Sequence, residues 1–251
     1  VGGHIGTMTR KLAENFNLYA NWDDSSCTYP DNGNYSLSFD GIDDYVEILN
    51  STSLDISSNH LSIVAEIKLN GEDGNHMAII SKTNNQYPYG GYGLISSNQD
   101  NKWSYAIGND YDWEIVWSEQ EYNFNQYETI SGVYNGDDNS FALFINGVQS
   151  NMRSLSGNIR SINENVVLGR NPQHSDNFDF LNGEIKSLLV FNRALSNIEL
   201  YNFDNNNFND EELVAHWKFN AGQGNILYDH SGNKNHGTIH GATWIENSIL
   251  G

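Results

Sequence analysis

From Asn34 onward the chain alternates short apolar runs with polar or glycine-bearing turns. Residues 36–40 (SLSFD) run into the turn Gly41-Ile42-Asp43-Asp44, and 45–49 (YVEIL) follow. Residues 61–69 (LSIVAEIKL) alternate apolar and polar positions with a period of two, the signature of a strand with one face in a core. The same pattern predicts strands at 77–81, 92–97, 103–108, 113–119, 127–134, 141–147, 166–170 and 185–192. Asn146-Gly147 follows one apolar run and precedes another, and both residue types tolerate the positive φ of a type I′ turn, which predicts a hairpin. One helix is expected, over 194–203, because Ser196-Asn197-Ile198-Glu199 spells a capping box. Many short strands with tight turns predict an all-β sandwich or barrel. Residues 1–34 break the pattern with NWDDSS and YPDNGN and read as a linker or appendage, and 247–251 as a tail.

Composition narrows the function classes. Hydrophobic residues make up 38% of 251, enough for a packed core. The formal charge of −20 repels nucleic-acid phosphates and anionic membranes, so neither is an expected partner. No run approaches the roughly 18 apolar residues of a membrane span, so no membrane insertion is expected. Cys27 is the single cysteine, so no intrachain disulfide can form. No secretory leader pattern opens the chain, which reads as a mature fragment of something longer.

Four segments together carry a resemblance. SLSFDGIDDYVEI (36–48) resembles the opening strand pair of the laminin-G-like and pentraxin-like jelly rolls of the concanavalin A-like lectin/glucanase superfamily. FALFINGV resembles their central hairpin. SGNIRSINENVVLGRN (156–171) with FLNGEIKSLLVFNRALSNIEL (180–200) resembles the stretch that closes the sandwich and adds a short helix, and 213–244 resembles a further segment. The resemblance implies a two-sheet antiparallel jelly-roll sandwich over 35–246, in which 213–246 supplies a closing strand. In many relatives that segment comes first instead of last. The alternative, that it opens a second, truncated module, is disfavoured because about 35 residues are too few to bury an apolar face of their own. Lys186 stands where the family often has an acidic residue, which weakens a metal site there. LAENFNLYANWDDSSCTYP (12–30) resembles a degenerate linker repeat of marine Bacteroidetes secreted proteins, which implies a secreted or cell-surface parent.

Three constellations could carry chemistry. Asp229, Ser231, Asn233 and Asn235 place oxygens at every second position around Gly232, a spacing that can curl about Ca²⁺. A second carboxylate would come from Glu184 or from Asp40, Asp43 and Asp44; the same residues also suit an Asx turn with no ion. For a ligand, Tyr87, Tyr89 and Tyr92 lie in or beside a glycine-rich loop, and Trp103, Tyr105, Tyr111, Trp113 and Trp117 follow. Sugar C–H faces stack on such rings, with Arg170, Asn171 and His174 as polar helpers. The strand aromatics, Trp103, Tyr105, Trp113 and Trp117, suit a core better than a ligand site, and the loop tyrosines are the preferred contacts. For catalysis, Glu114 and Glu119 nearly match the paired carboxylates of laminarinase-like glycoside hydrolases, but Val116 stands in place of the central Asp. The expected function is therefore a non-catalytic, lectin-like carbohydrate-binding module stabilised by calcium, its partner a polysaccharide or other glycan. The alternatives are an adhesion or protein-interaction domain with another extracellular protein as partner, and a glycoside hydrolase or polysaccharide lyase.

Overall fold

A computed structural model of the protein describes residue 14 and residues 28–71, 77–84, 86–97, 100–172, 180–203 and 208–247. The linker resemblance up to Cys27, and the expectation on His174, lie outside the described residues.

Two antiparallel eight-stranded sheets face each other. The first has the order β10 (Val148–Ser154), β9 (Ser140–Ile145), β8 (Tyr127–Asn135), β3 (His60–Leu69), β12 (Asn182–Phe191), β1 (Tyr35–Asp40) and β16 (Thr243–Glu246). Its remaining strand, β13 (Leu213–Trp217), pairs with the far half of β12, so β1 and β13 share one edge of that strand end to end. The second sheet has the order β14 (Ile226–Leu227), β15 (Gly237–His240), β2 (Tyr45–Ile48), β11 (Val166–Leu168), β4 (Ala78–Thr83), β5 (Tyr89–Ser97), β6 (Lys102–Asp110) and β7 (Trp113–Glu121). The only other element among the described residues is α1 (Asn197–Tyr201), and its Ser196–Glu199 capping box is formed.

The alternation of the sequence decides which side chains enter the sandwich. On β3, Leu61, Ile63, Ala65 and Ile67 point inward, opposite Tyr92, Leu94, Tyr105 and Ile107 from the second sheet. Asn146 and Gly147 both take positive φ, 50° and 74°, which closes the β9–β10 hairpin as its sequence requires. Gly132 lets the sheets approach: a Cβ there would sit 2.4 Å from the Tyr105 ring.

The C-terminal segment divides itself between the layers. β13 and β16 join the first sheet, β14 and β15 the second. Trp217 is fully buried in the shared core and donates through Nε1 to the Asn235 carbonyl at 2.8 Å. The segment thus contributes four strands rather than one.

The outer face of the first sheet is only partly covered. Val64, Val133, Leu189 and Phe191 form a second apolar cluster there with Leu195 and Leu200, under α1.

Candidate functional site

Tyr92 and Trp103 are not ligand contacts. Tyr92 is fully buried and donates to the Leu54 carbonyl at 3.1 Å. Strand β5 begins at Tyr89, three residues before the sequence pattern suggests, and places Tyr92 at an inward position. Trp103 is 1% exposed and its Nε1 donates to Glu128 at 3.4 Å. Tyr105 is likewise core. Burial of large rings in the shared core is worth more than leaving them to solvent.

The other aromatics gather at one end of the second sheet. Tyr89 pairs with Asp110 across β5 and β6, and Gly108 pairs with Trp113 across β6 and β7. This register brings Tyr87, Tyr89, Tyr111 and Trp113 to neighbouring strand ends. Tyr87 is 70% exposed and Tyr111 79%, while Tyr89 and Trp113 are half-buried. Tyr87 and Tyr89 meet edge to face at 6.3 Å.

Local hydrogen bonds shape the loops that carry these rings. Asn84 donates to the carbonyls of Gln86 at 2.9 Å and Pro88 at 3.0 Å and accepts from Gly90 N–H at 2.8 Å, closing the loop that carries Tyr87. Asn109 Oδ1 accepts from Tyr111 and Asp112 N–H at 3.2 and 3.1 Å, an Asx turn that presents Tyr111. An Arg160–Asp110 ion pair lies beside them. Further along β7, Trp117 is also partly exposed.

Arg170 is not part of this cluster. Its guanidinium lies 5.7 Å from the Tyr45 ring and 5.0 Å from the Phe180 ring, at the β2–β11 side of the sheet. Asn171 is 8% exposed and accepts from Thr83 Oγ1 at 3.5 Å. Glu114 and Glu119 do not form a facing pair. Glu114 shares the parity of the buried Val116 and Ser118, whereas Glu119 shares that of the exposed Trp117. Glu114 faces Arg153 at 3.8 Å, and Glu119 is exposed.

Asp229 spends both carboxylate oxygens inside the protein. Asp229 is fully buried. Its Oδ1 accepts from His216 and Ser231 N–H, and its Oδ2 from Ser231 Oγ and Asn235 N–H, all at 2.9 Å. Ser231 and Asn233 donate to carbonyls of β13, while Asn235 ties the loop to Ser51 and Ser53. This is the Asx arrangement that needs no cation. Glu184 does not join it, because its carboxylate takes Lys68 at 2.6 Å, Tyr127 at 2.7 Å and Ser36 at 2.9 Å. Those donors hold its pKa below the ordinary carboxylate value against the opposing cost of burial.

Among the described residues, the acidic side chains that do converge are Asp40, Asp43 and Asp44, with ligand atoms within 4.8 Å of one another. Asp40 Oδ1 accepts from Ile42 and Asp43 N–H, and Asp44 Oδ2 from Asp40 N–H, so other oxygens of the trio remain for an ion. Asp44 is raised in pKa by burial and by its two acidic neighbours, and an adjacent cation would reverse that shift.

Comparison with known proteins agrees with this architecture. No curated protein matches the chain by sequence. A candidate carbohydrate-binding protein of Bacteroides ovatus aligns with TM-score 0.69 at 14% identity, over 88% of this chain and 62% of that one. The chain thus spans less than two thirds of that relative. The CBM40 domain of a Ruminococcus gnavus sialidase, bound to α2,3-sialyllactose, aligns with TM-score 0.52 at 16% identity, over 66% and 96% of the respective chains. NanB sialidase of Streptococcus pneumoniae gives TM-score 0.50 at 15% identity, over 66% and 27%. These likenesses concern the fold. The Laminin_G_3 model, described as the concanavalin A-like lectin/glucanases superfamily, matches residues 40–200, and the chain belongs to that family.

Proposed function

We propose that this domain is a non-catalytic carbohydrate-binding module of a secreted or cell-surface protein. The observation that carries the reading is the aromatic rim. Tyr87 and Tyr111 are largely exposed on loops made rigid by Asn84 and Asn109, beside Tyr89 and Trp113. Large rings held in water by a preorganised turn lose little further freedom when a sugar stacks on them. Asp110 lies opposite Tyr89 in the ladder and pairs with Arg160, and Asp112 separates Tyr111 from Trp113, which supports these three as the partners of sugar hydroxyls.

Calcium belongs to the same reading through Asp40, Asp43 and Asp44, whose carboxylates repel one another unless a cation lies between them. It would stabilise the turn between β1 and β2.

A glycan array, run with and without EDTA, tests both parts. Removing one stacked ring costs about 1–2 kcal/mol, so Tyr111→Ala is expected to weaken binding by roughly 5- to 30-fold. Binding to no glycan, or undiminished binding by the Tyr87→Ala/Tyr111→Ala variant, refutes the rim. A melting temperature that does not respond to millimolar Ca²⁺ removes calcium from the reading.

A further inference from the structure

The outer face of the first sheet changes chemistry halfway along its strands. On one side Val64, Val133, Leu189 and Phe191 are apolar and lie under α1. Beyond Phe203 the same strands carry Glu66 on β3, Thr129 on β8 and Lys186 on β12, and the chain leaving β13 carries Lys218 and Asn220. These residues line a groove of about 710 Å³, with the 31–35 segment as a further wall. That volume lies within the roughly 300–1,000 Å³ of small-molecule sites.

The groove is polar but balanced in charge. Lys186 pairs with Glu66 at 2.8 Å and Lys218 faces Asp31 at 3.9 Å, so its cations and carboxylates are matched. An ionic ligand would have to break a pair to find a partner, whereas a hydroxyl can add to either member of one. Aromatic surface stands in the walls at Tyr35 and Phe203. His216 also lines the groove, is only 4% exposed, and its Nε2 has no hydrogen-bond partner in the protein. Burial, with Lys218 and His230 nearby, pushes its pKa down to about 3, so it is a neutral imidazole able to donate at one nitrogen and accept at the other.

We propose that this groove is a second ligand site, on the sheet opposite the aromatic rim, and that it takes a neutral oligosaccharide. Sugar C–H faces lie against Tyr35 and Phe203. Hydroxyls engage the Lys186–Glu66 pair and Asn220, and the His216 ring in the wall senses the bound sugar. The site does not depend on the rim. If both sites bind, the module can bridge two glycan segments from opposite faces, and avidity on a polymer then exceeds either affinity alone.

The test uses the full chain carrying Tyr87→Ala and Tyr111→Ala, which silences the rim. The ¹⁵N signals of the His216 ring are followed while cellohexaose, laminarihexaose, maltohexaose, mannohexaose or hexagalacturonate is added at millimolar concentration and constant pH. A saturable shift with at least one neutral hexasaccharide is expected, with affinity lost at least tenfold on Thr129→Trp, which fills the floor. Lys186→Gln, which removes one donor and leaves the volume, is expected to weaken the same titration and serves if the tryptophan variant fails to fold. No His216 shift with any neutral sugar, a shift with hexagalacturonate alone, or full affinity in both groove variants overturns the proposal.

Discussion

Asp229→Asn isolates the hydrogen-bonded turn from the ion-binding loop that its sequence equally suggests. The carboxylate takes donors from His216, Ser231 and Asn235 on both oxygens with no solvent contact. Asparagine keeps the shape and one acceptor, but turns the other position into a donor. The Ser231 hydroxyl can rotate to accept from it, whereas a backbone N–H cannot. At least one buried N–H is therefore stranded, at a cost of about 1–3 kcal/mol, and the charge-assisted bonds to its partners are weakened as well. We expect a loss of about 3–4 kcal/mol, against a total stability of roughly 5–15 kcal/mol. With a urea m-value near 3 kcal/mol/M, the midpoint falls by about 1 M. The loop anchors both β13 and the 51–53 segment, so the variant should also unfold as one cooperative unit with the parent. A midpoint shift below about 0.3 M at unchanged m would refute the four-bond account. So would a calcium-induced rise in melting temperature that the wild type shows and Asp229→Asn lacks, since that would place the ion in this loop.

Two further outcomes follow from buried groups. His216 and His230 are held neutral with pKa values pushed down to about 3 and about 4, chiefly by burial, while the unfolded chain protonates them near 6.5. Unfolding therefore takes up protons as pH falls from about 6.5, and stability should drop by at most about 1.4 kcal/mol per pH unit for each group. Carboxylates held low, Glu184 and Glu199, lose their contribution only further down, through their depressed folded values, so the decline above about pH 4.5 belongs to the histidines. Urea midpoints measured from pH 7 to 4.5 should fall steadily, and His216→Phe should flatten the slope; an equal slope in the variant rejects the assignment. Gly132→Ala places a methyl group against the buried Tyr105 ring, where its carbon would lie 2.4 Å away, at a cost of about 1–3 kcal/mol of overpacking. Calorimetry should show the melting temperature lowered by several degrees, and an unchanged value would mean that the sheets separate freely there.

The readable parts of this protein were those whose determinants lie close together along the chain. Period-two alternation marks the strands, positive φ at Asn146-Gly147 marks the hairpin, and Ser196 with Glu199 marks the helix start. Each depends on residues within one turn or one strand, so the sequence by itself determined these elements and an all-β sandwich or barrel, while three of the four strands in 213–246 went unread.

Tertiary structure decided what each exposed-looking residue would do. Tyr92 and Tyr89 are similar in sequence, yet extending β5 by three residues sends one into the core and leaves the other at the rim. The oxygens of the Asp229 loop look like cation ligands until the neighbouring β13 and, from a distant part of the chain, Ser51 and Ser53 arrive as donors. Glu184 is drawn away by Lys68 and Tyr127. The groove needs β3, β8, β12 and the chain beyond β13 side by side, and no local pattern announces that combination. A donor and an acceptor that meet only across a sheet are specified by register, and register is a property of the assembled core.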